Sequence, residues 1–92
     1  MTSFEKLLEK WNAGDKVASE NLEFLFRSVF KDRELHIIRE LYGIGRYARD
    51  KKEIGAELGI TENRVSQIHE KCLIKFEDFY TVYPEKWPDE WK

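Results

Sequence analysis

The chain has one cysteine, Cys72, in 92 residues. A lone thiol excludes an internal disulfide framework and a multi-thiolate metal centre, and it suits a reduced, cytoplasmic setting. Two prolines and five glycines are too few for a turn-dense all-β fold. No apolar run approaches the roughly 18 residues of a membrane span, so no membrane association is expected. The charged start Thr2-Ser3-Phe4-Glu5-Lys6 does not read as a signal peptide. Neither sign of charge dominates: 16 Lys plus Arg against 18 Asp plus Glu leave −2. A globally basic nucleic-acid binder is thereby excluded, but a local basic patch is not. What the chain does have is 41% hydrophobic and 14% aromatic residues, too many for disorder. At this length residues 1–92 form a single domain with one core and no room for a deep interdomain cleft.

The periodicity predicts an all-α, five-helix domain. Thr2 with Glu5 fits a capping box, ahead of Phe4, Leu7, Leu8 and Trp11 at 3/4 spacing. Asn12-Ala13-Gly14-Asp15 breaks this helix, so residues 1–19 read as an N-terminal helix and linker. A second helix starts between Asp15 and Ser19 and carries Leu22, Leu25, Phe26, Val29 and Phe30. Asp32 is the expected N-cap of a third, from Arg33 to Tyr42, with Leu35, Ile38, Leu41 and Tyr42 inward. Gly43 and Gly45 end it, and the basic connection Arg46-Tyr47-Ala48-Arg49 follows. Asp50 with Glu53 caps a fourth helix that Gly59 ends; Thr61 caps a fifth beginning at Glu62. Val65, Ile68, Cys72, Phe76, Phe79 and Tyr83 form its stripe until Pro84, giving about 20 residues. Residues 78–92 read as a helix extension and an acidic tail bearing Trp87 and Trp91.

No catalytic constellation emerges, so the chain reads as no enzyme, with no cofactor and no metal. His36 and His69 are the only histidines, and His69 flanks an apolar stripe, as a packing residue does. Gly43-Ile44-Gly45 lacks the third glycine and the preceding strand of a phosphate loop.

Residues 51–70 satisfy the pattern of a helix-turn-helix. The first helix needs a small residue where the second crosses it, here Gly55, and apolar neighbours, here Ile54 and Leu58. The turn needs a residue at ease with positive φ, Gly59, then an apolar plug, Ile60. The second helix returns Val65 and Ile68. In such a motif the second, long helix enters the major groove. With Val65 inward, Asn63, Gln67, Glu70 and Ile74 point outward, flanked by Ser66 and Glu62. Asn and Gln can pair bidentately with adenine, and Ser suits either base type. Arg64 and Lys71 lie on the other flank, while Lys51 and Lys52 open the preceding helix, whose amides favour phosphate. Arg46 and Arg49 extend the patch through the loop. Residues 31–75 hold ten basic and eight acidic side chains. Such a weak excess predicts poor non-specific affinity, and a larger partner to hold the module on DNA.

Asp32-Arg33-Glu34, Ile37-Ile38, Leu41-Tyr42-Gly43 and the run from Lys52 to Ile60 resemble region 4 of the bacterial sigma-70-family factors. Glu62-Asn63-Arg64-Val65-Ser66-Gln67-Ile68-His69 is similar to the flagellar, sigma-28 branch, while the longer loop from Gly43 to Asp50 looks more like primary factors. The resemblance spans residues 20–77. It implies a transcription-initiation module that binds a −35-type promoter element as double-stranded DNA and grips the RNA polymerase β flap. Carried over residue by residue, base reading falls on Glu62, Asn63, Ser66 and Gln67. Phosphate contact falls on Arg49, Lys51, Lys52, Thr61, Arg64 and Lys71. Primary factors place arginines where Glu62 and Ser66 stand, which moves the expected target away from a primary-type −35 sequence. The basic run that usually closes the last helix is here Ile74, Lys75, Phe76, Glu77 and Asp78, which argues against activator docking there.

Nothing resembles region 2, so the chain reads as either a sigma fragment or a natural region-4-only protein. Two alternatives stand beside the sigma reading. One is a stand-alone helix-turn-helix regulator acting as a dimer. The other is a sigma mimic that occupies polymerase or an anti-sigma factor without reading DNA. The stripe of the first helix is expected to pack on the C-terminal half of the last, closed by Trp87 or Trp91, or to pair between two chains as a homodimer.

Overall fold

The computed structural model describes residues 2–92. Five α-helices carry the chain: α1 (Ser3–Asn12), α2 (Lys16–Phe24), α3 (Asp32–Tyr42), α4 (Lys51–Leu58) and α5 (Glu62–Val82). A π-helical turn, Leu25–Val29, continues α2, and two short 3₁₀ turns, Pro84–Lys86 and Asp89–Trp91, follow α5. No strand occurs among the described residues. The chain is thus an all-α domain with a helix-turn-helix. Its residues gather into two compact units. A terminal unit joins the described residues up to Val29 to Leu73–Lys92, and a central unit is Phe30–Cys72.

In the terminal unit α1 starts at the cap expected from sequence, and α2 takes its cap from Asp15, the first residue of the range in which its start was expected. Thr2 Oγ1 accepts from the Glu5 amide at 3.2 Å, and Asp15 Oδ1 accepts from the Ala18 amide at 3.0 Å. Both satisfy amides that the first helical turn leaves unpaired. Phe4, Leu7 and Leu8 of α1 are buried, and the Phe4 ring meets Phe76 of α5 edge-on at 5.2 Å. Trp91 is 2% exposed and stands perpendicular to Trp87, which in turn lies 4.9 Å from Tyr80. Asn21, buried on α2, donates from Nδ2 to the Lys86 carbonyl at 2.6 Å and pins the tail. The stripe of α1 is therefore consumed within one chain. Tyr83, read as part of the α5 stripe, is 42% exposed, as is much of Phe24 at 44%.

The central unit corrects two expectations about α3. Asp32 is not its N-cap but its first residue; Lys31 holds the cap position, and its amide donates to Glu34 Oε1 at 2.8 Å. Glu34 reaching back fixes the helix start one residue earlier, and Asp32 sits in a first turn that favours negative charge. The buried face is Glu34, Ile37, Ile38 and Glu40, whereas Leu35, Leu41 and Tyr42 are half-buried. Gly43 ends the helix in the left-handed region at φ 68°, with the Ile44 amide donating to the Arg39 carbonyl at 2.9 Å.

Candidate nucleic-acid interface

The pair α4–α5 forms from local signals. Asp50 Oδ1 accepts from the Glu53 amide at 2.8 Å and opens α4; Gly59, at φ 70°, closes it. Thr61 Oγ1 accepts from the Arg64 amide at 3.0 Å and opens α5. The Ile60 amide donates to the Gly55 carbonyl at 2.9 Å, closing the turn. Gly55 serves that turn rather than a helix crossing. A Cβ there would lie 2.8 Å from the Ile60 carbonyl oxygen and 3.3 Å from the Thr61 carbonyl carbon. Ile54 and Val65 are fully buried and Ile68 nearly so, while Ile60 is half-buried.

This packing turns one face of α5 outward. Glu62, Asn63 and Gln67 are exposed, and Ser66 is half-buried at their flank. Arg64 is exposed, and its guanidinium donates to Gln67 Oε1 at 3.3 Å. The Arg64 guanidinium thus steadies the Gln67 amide on the same exposed face. Thr61 is exposed, its hydroxyl oxygen occupied by the cap. Lys52 is exposed and Lys51 half-buried at the start of α4. Lys71 is exposed, with Nζ 3.8 Å from Glu34 Oε2. Tyr42 Oη and His69 Nε2 share a hydrogen bond of 2.6 Å. Burial, and secondarily the charge of Lys51, push His69 below its usual value and favour the neutral ring.

Sequence reasoning missed a polar cluster beside these residues. Glu40, 1% exposed on α3, accepts from Arg46 Nη1 at 3.0 Å and from Arg49 Nη1 at 3.3 Å. Arg49 also pairs with Glu57 of α4 at 3.2 Å, and His36 Nε2 of α3 donates to that same carboxylate at 2.8 Å. Hydrogen bonding to Glu57, more than the desolvation that opposes it, pushes the Arg49 guanidinium up. Hydrogen bonds from His36 and then Arg49 hold Glu57 below the usual carboxylate range. Ligand atoms of His36, Glu40 and Glu57 fall within 4.8 Å of one another, the spread of a metal site, but two guanidinium groups already meet these carboxylates. The available signal was an acidic residue on the apolar face of α3, with arginines six and nine positions later.

The family described as Sigma-70, region 4 matches this chain over residues 28–75, just over half its length. No curated protein and no solved structure matches it. No helix of the described residues is long and apolar enough to cross a membrane.

Proposed function

Since the chain belongs to the sigma-70 region 4 family, a family of DNA-binding transcription-initiation domains, we propose that it binds a −35-type promoter element and the RNA polymerase β flap. The observation that carries the DNA half is the outward face of α5. Glu62, Asn63 and Gln67 stand exposed at the start of the helix that a helix-turn-helix inserts in the major groove, with Ser66 beside them. Gln67 pairs adenine, Asn63 does the same, and Glu62 accepts from a cytosine amine. Arg64, Lys51, Lys52 and Lys71 contact phosphate, whereas Arg49, expected among them, is engaged by Glu40 and Glu57 and shapes the loop beside them. The arrangement of Glu62 and Ser66 favours a target that differs from the primary-type element.

The flap reading is supported by the terminal unit. Phe24, Val29, Phe79, Val82 and Tyr83 line a shallow apolar groove in which the rings of Phe24 and Phe79 stack at 5.3 Å. An apolar helix of a partner fits such a groove.

Two experiments test this together. A pull-down with core RNA polymerase is expected to retain the chain, and selection from a random duplex library is expected to yield one preferred element. On that element Gln67→Ala should cost about 1–3 kcal/mol and relax one base position. Retention on polymerase with no preferred duplex would favour a sigma mimic instead, a reading that Glu62 on the outward face also suits. Loss of both would remove the proposal.

A further inference from the structure

Tyr47 is 95% exposed, and its neighbour Arg46 keeps 64% of its side chain in water. A single exposed aromatic means little by itself, but the support under this one is built. The Arg49 amide donates to the Glu40 carbonyl at 2.8 Å, and the side chains of Arg46 and Arg49 both close on the buried Glu40 carboxylate. At Gly43 the loop folds so tightly on itself that a Cβ would lie 2.8 Å from the Ala48 amide nitrogen and 2.9 Å from the Arg46 carbonyl oxygen. Residues on both sides of Tyr47 are thus tied down, and the ring between them is left in solvent.

The charge around the ring selects the partner. From Ile44 to Lys52 the chain carries Arg46, Arg49, Lys51 and Lys52, while Asp50 caps α4, Glu40 meets both arginines and Glu57 meets Arg49. The cations left beside the ring are Lys51, Lys52 and the solvent-facing 64% of Arg46, and these complement a polyanion. Tyr47 is three residues from the α4 cap, so its Cα lies within about 11 Å of that helix start. In a helix-turn-helix the first helix crosses the DNA backbone, and tyrosine hydroxyls are among the groups that bond phosphate oxygens.

We propose that Tyr47, presented by the loop clamped on Glu40, is a further DNA-contacting residue: its ring rests on the sugar–phosphate backbone beside the α4 start and its hydroxyl donates to a phosphate oxygen. The inference rests on the DNA-binding reading above. The contact is independent of base sequence, and because tyrosine carries no charge it releases no counterion.

The test is fluorescence anisotropy with the full chain on two labelled duplexes, the selected element and its scrambled version, for the unaltered protein, Tyr47→Ala, Tyr47→Phe and Gln67→Ala. Tyr47→Ala should weaken both duplexes by the same factor, about fivefold for one net hydrogen bond and its packing, with an unchanged salt slope. Tyr47→Phe keeps the ring and should fall between the two, with unchanged helicity by circular dichroism. Equal binding of Tyr47→Ala and the unaltered protein, while Gln67→Ala weakens the selected duplex, would overturn the Tyr47 contact and leave the DNA reading intact. A loss confined to the selected duplex would make Tyr47 a base reader and overturn the backbone contact. Absence of binding by every version would overturn both.

Discussion

Glu40 shows how a charged residue comes to occupy the buried face of a helix beside Ile37 and Ile38. Its carboxylate is almost wholly removed from water, a position that is tolerable only when donors replace the lost hydration. Arg46 and Arg49 supply them to Oε1, while Oε2 is buried with no hydrogen-bond partner among the described residues; both arginines keep part of their surface in solvent, at 64% and 26%. Glu40→Ala should therefore cost about 1–3 kcal/mol, less than orphaning a fully buried partner, because both guanidinium groups can turn to water. Glu40→Leu should recover much of this by packing. Urea midpoints check both, and a Leu variant no better than Ala would show that the charge pairs, not the filled volume, hold the loop. Two other side chains set the response to acid. His69 is held below its usual value near 6.5, so the unfolded chain binds that proton first and stability declines as pH falls below about 6.5. Glu57 is held below its usual value near 4.5, so its contribution is complete above that pH and is lost as pH falls through the lowered folded value. Urea unfolding between pH 7.5 and 3.5 should show both steps, with His69→Gln removing the upper one and Glu57→Gln the lower.

Element boundaries were legible wherever one residue fixes them. Thr2, Asp50 and Thr61 each accept the amide hydrogen bond expected of a cap, Asp15 fixes the start of α2 within the expected range 15–19, and Gly43 and Gly59 end helices at positive φ. The start of α3 was misread because Asp32 and Glu34 both suit a helix start, and only the reach of Glu34 back to the Lys31 amide decides between them. Its inward face was misread because spacing alone does not reveal that two later arginines neutralise Glu40. The π turn over Leu25–Val29 leaves no local signature, since the segment contains neither glycine nor proline. On the interface, the outward set of α5 followed from periodicity. The engagement of Arg49 by Glu40 and Glu57 did not, because it joins side chains from α3, the loop and α4, which the periodicity of a single helix does not relate. Gly55 marks the same limit: a small residue was expected, but the backbone it makes room for is that of the turn. Gly55→Ala should destabilise the chain by about 1–3 kcal/mol, since a carbonyl oxygen rather than a flexible side chain must shift. A melting temperature within a degree of the unaltered protein would show that the turn yields freely.

At the scale of the whole chain, charge and apolar surface are divided between the two units. The terminal unit carries ten acidic against seven basic side chains, and the central unit eight against nine. An excess of one positive charge neutralises few phosphates, so the chain alone should bind duplex DNA at 0.15 M salt no more tightly than about 10⁻⁴–10⁻⁶ M. The groove of Phe24, Phe79, Val82 and Tyr83 belongs wholly to the terminal unit, where net charge is negative and apolar side chains reach solvent. If polymerase holds the chain at that groove, as proposed above, an effective concentration near millimolar at the DNA would raise apparent affinity by about 10²–10⁴ without a new DNA contact. Val82 is 67% exposed, so Val82→Asp should leave the fold intact while placing a charge in the groove. We expect that variant to bind isolated duplex as before and to lose most of the enhancement that core polymerase confers. The measurement is duplex binding with and without polymerase, for both proteins, at one salt concentration. Full enhancement in Val82→Asp would place the polymerase contact elsewhere on the chain. No enhancement in the unaltered protein would mean that polymerase does not hold it on DNA.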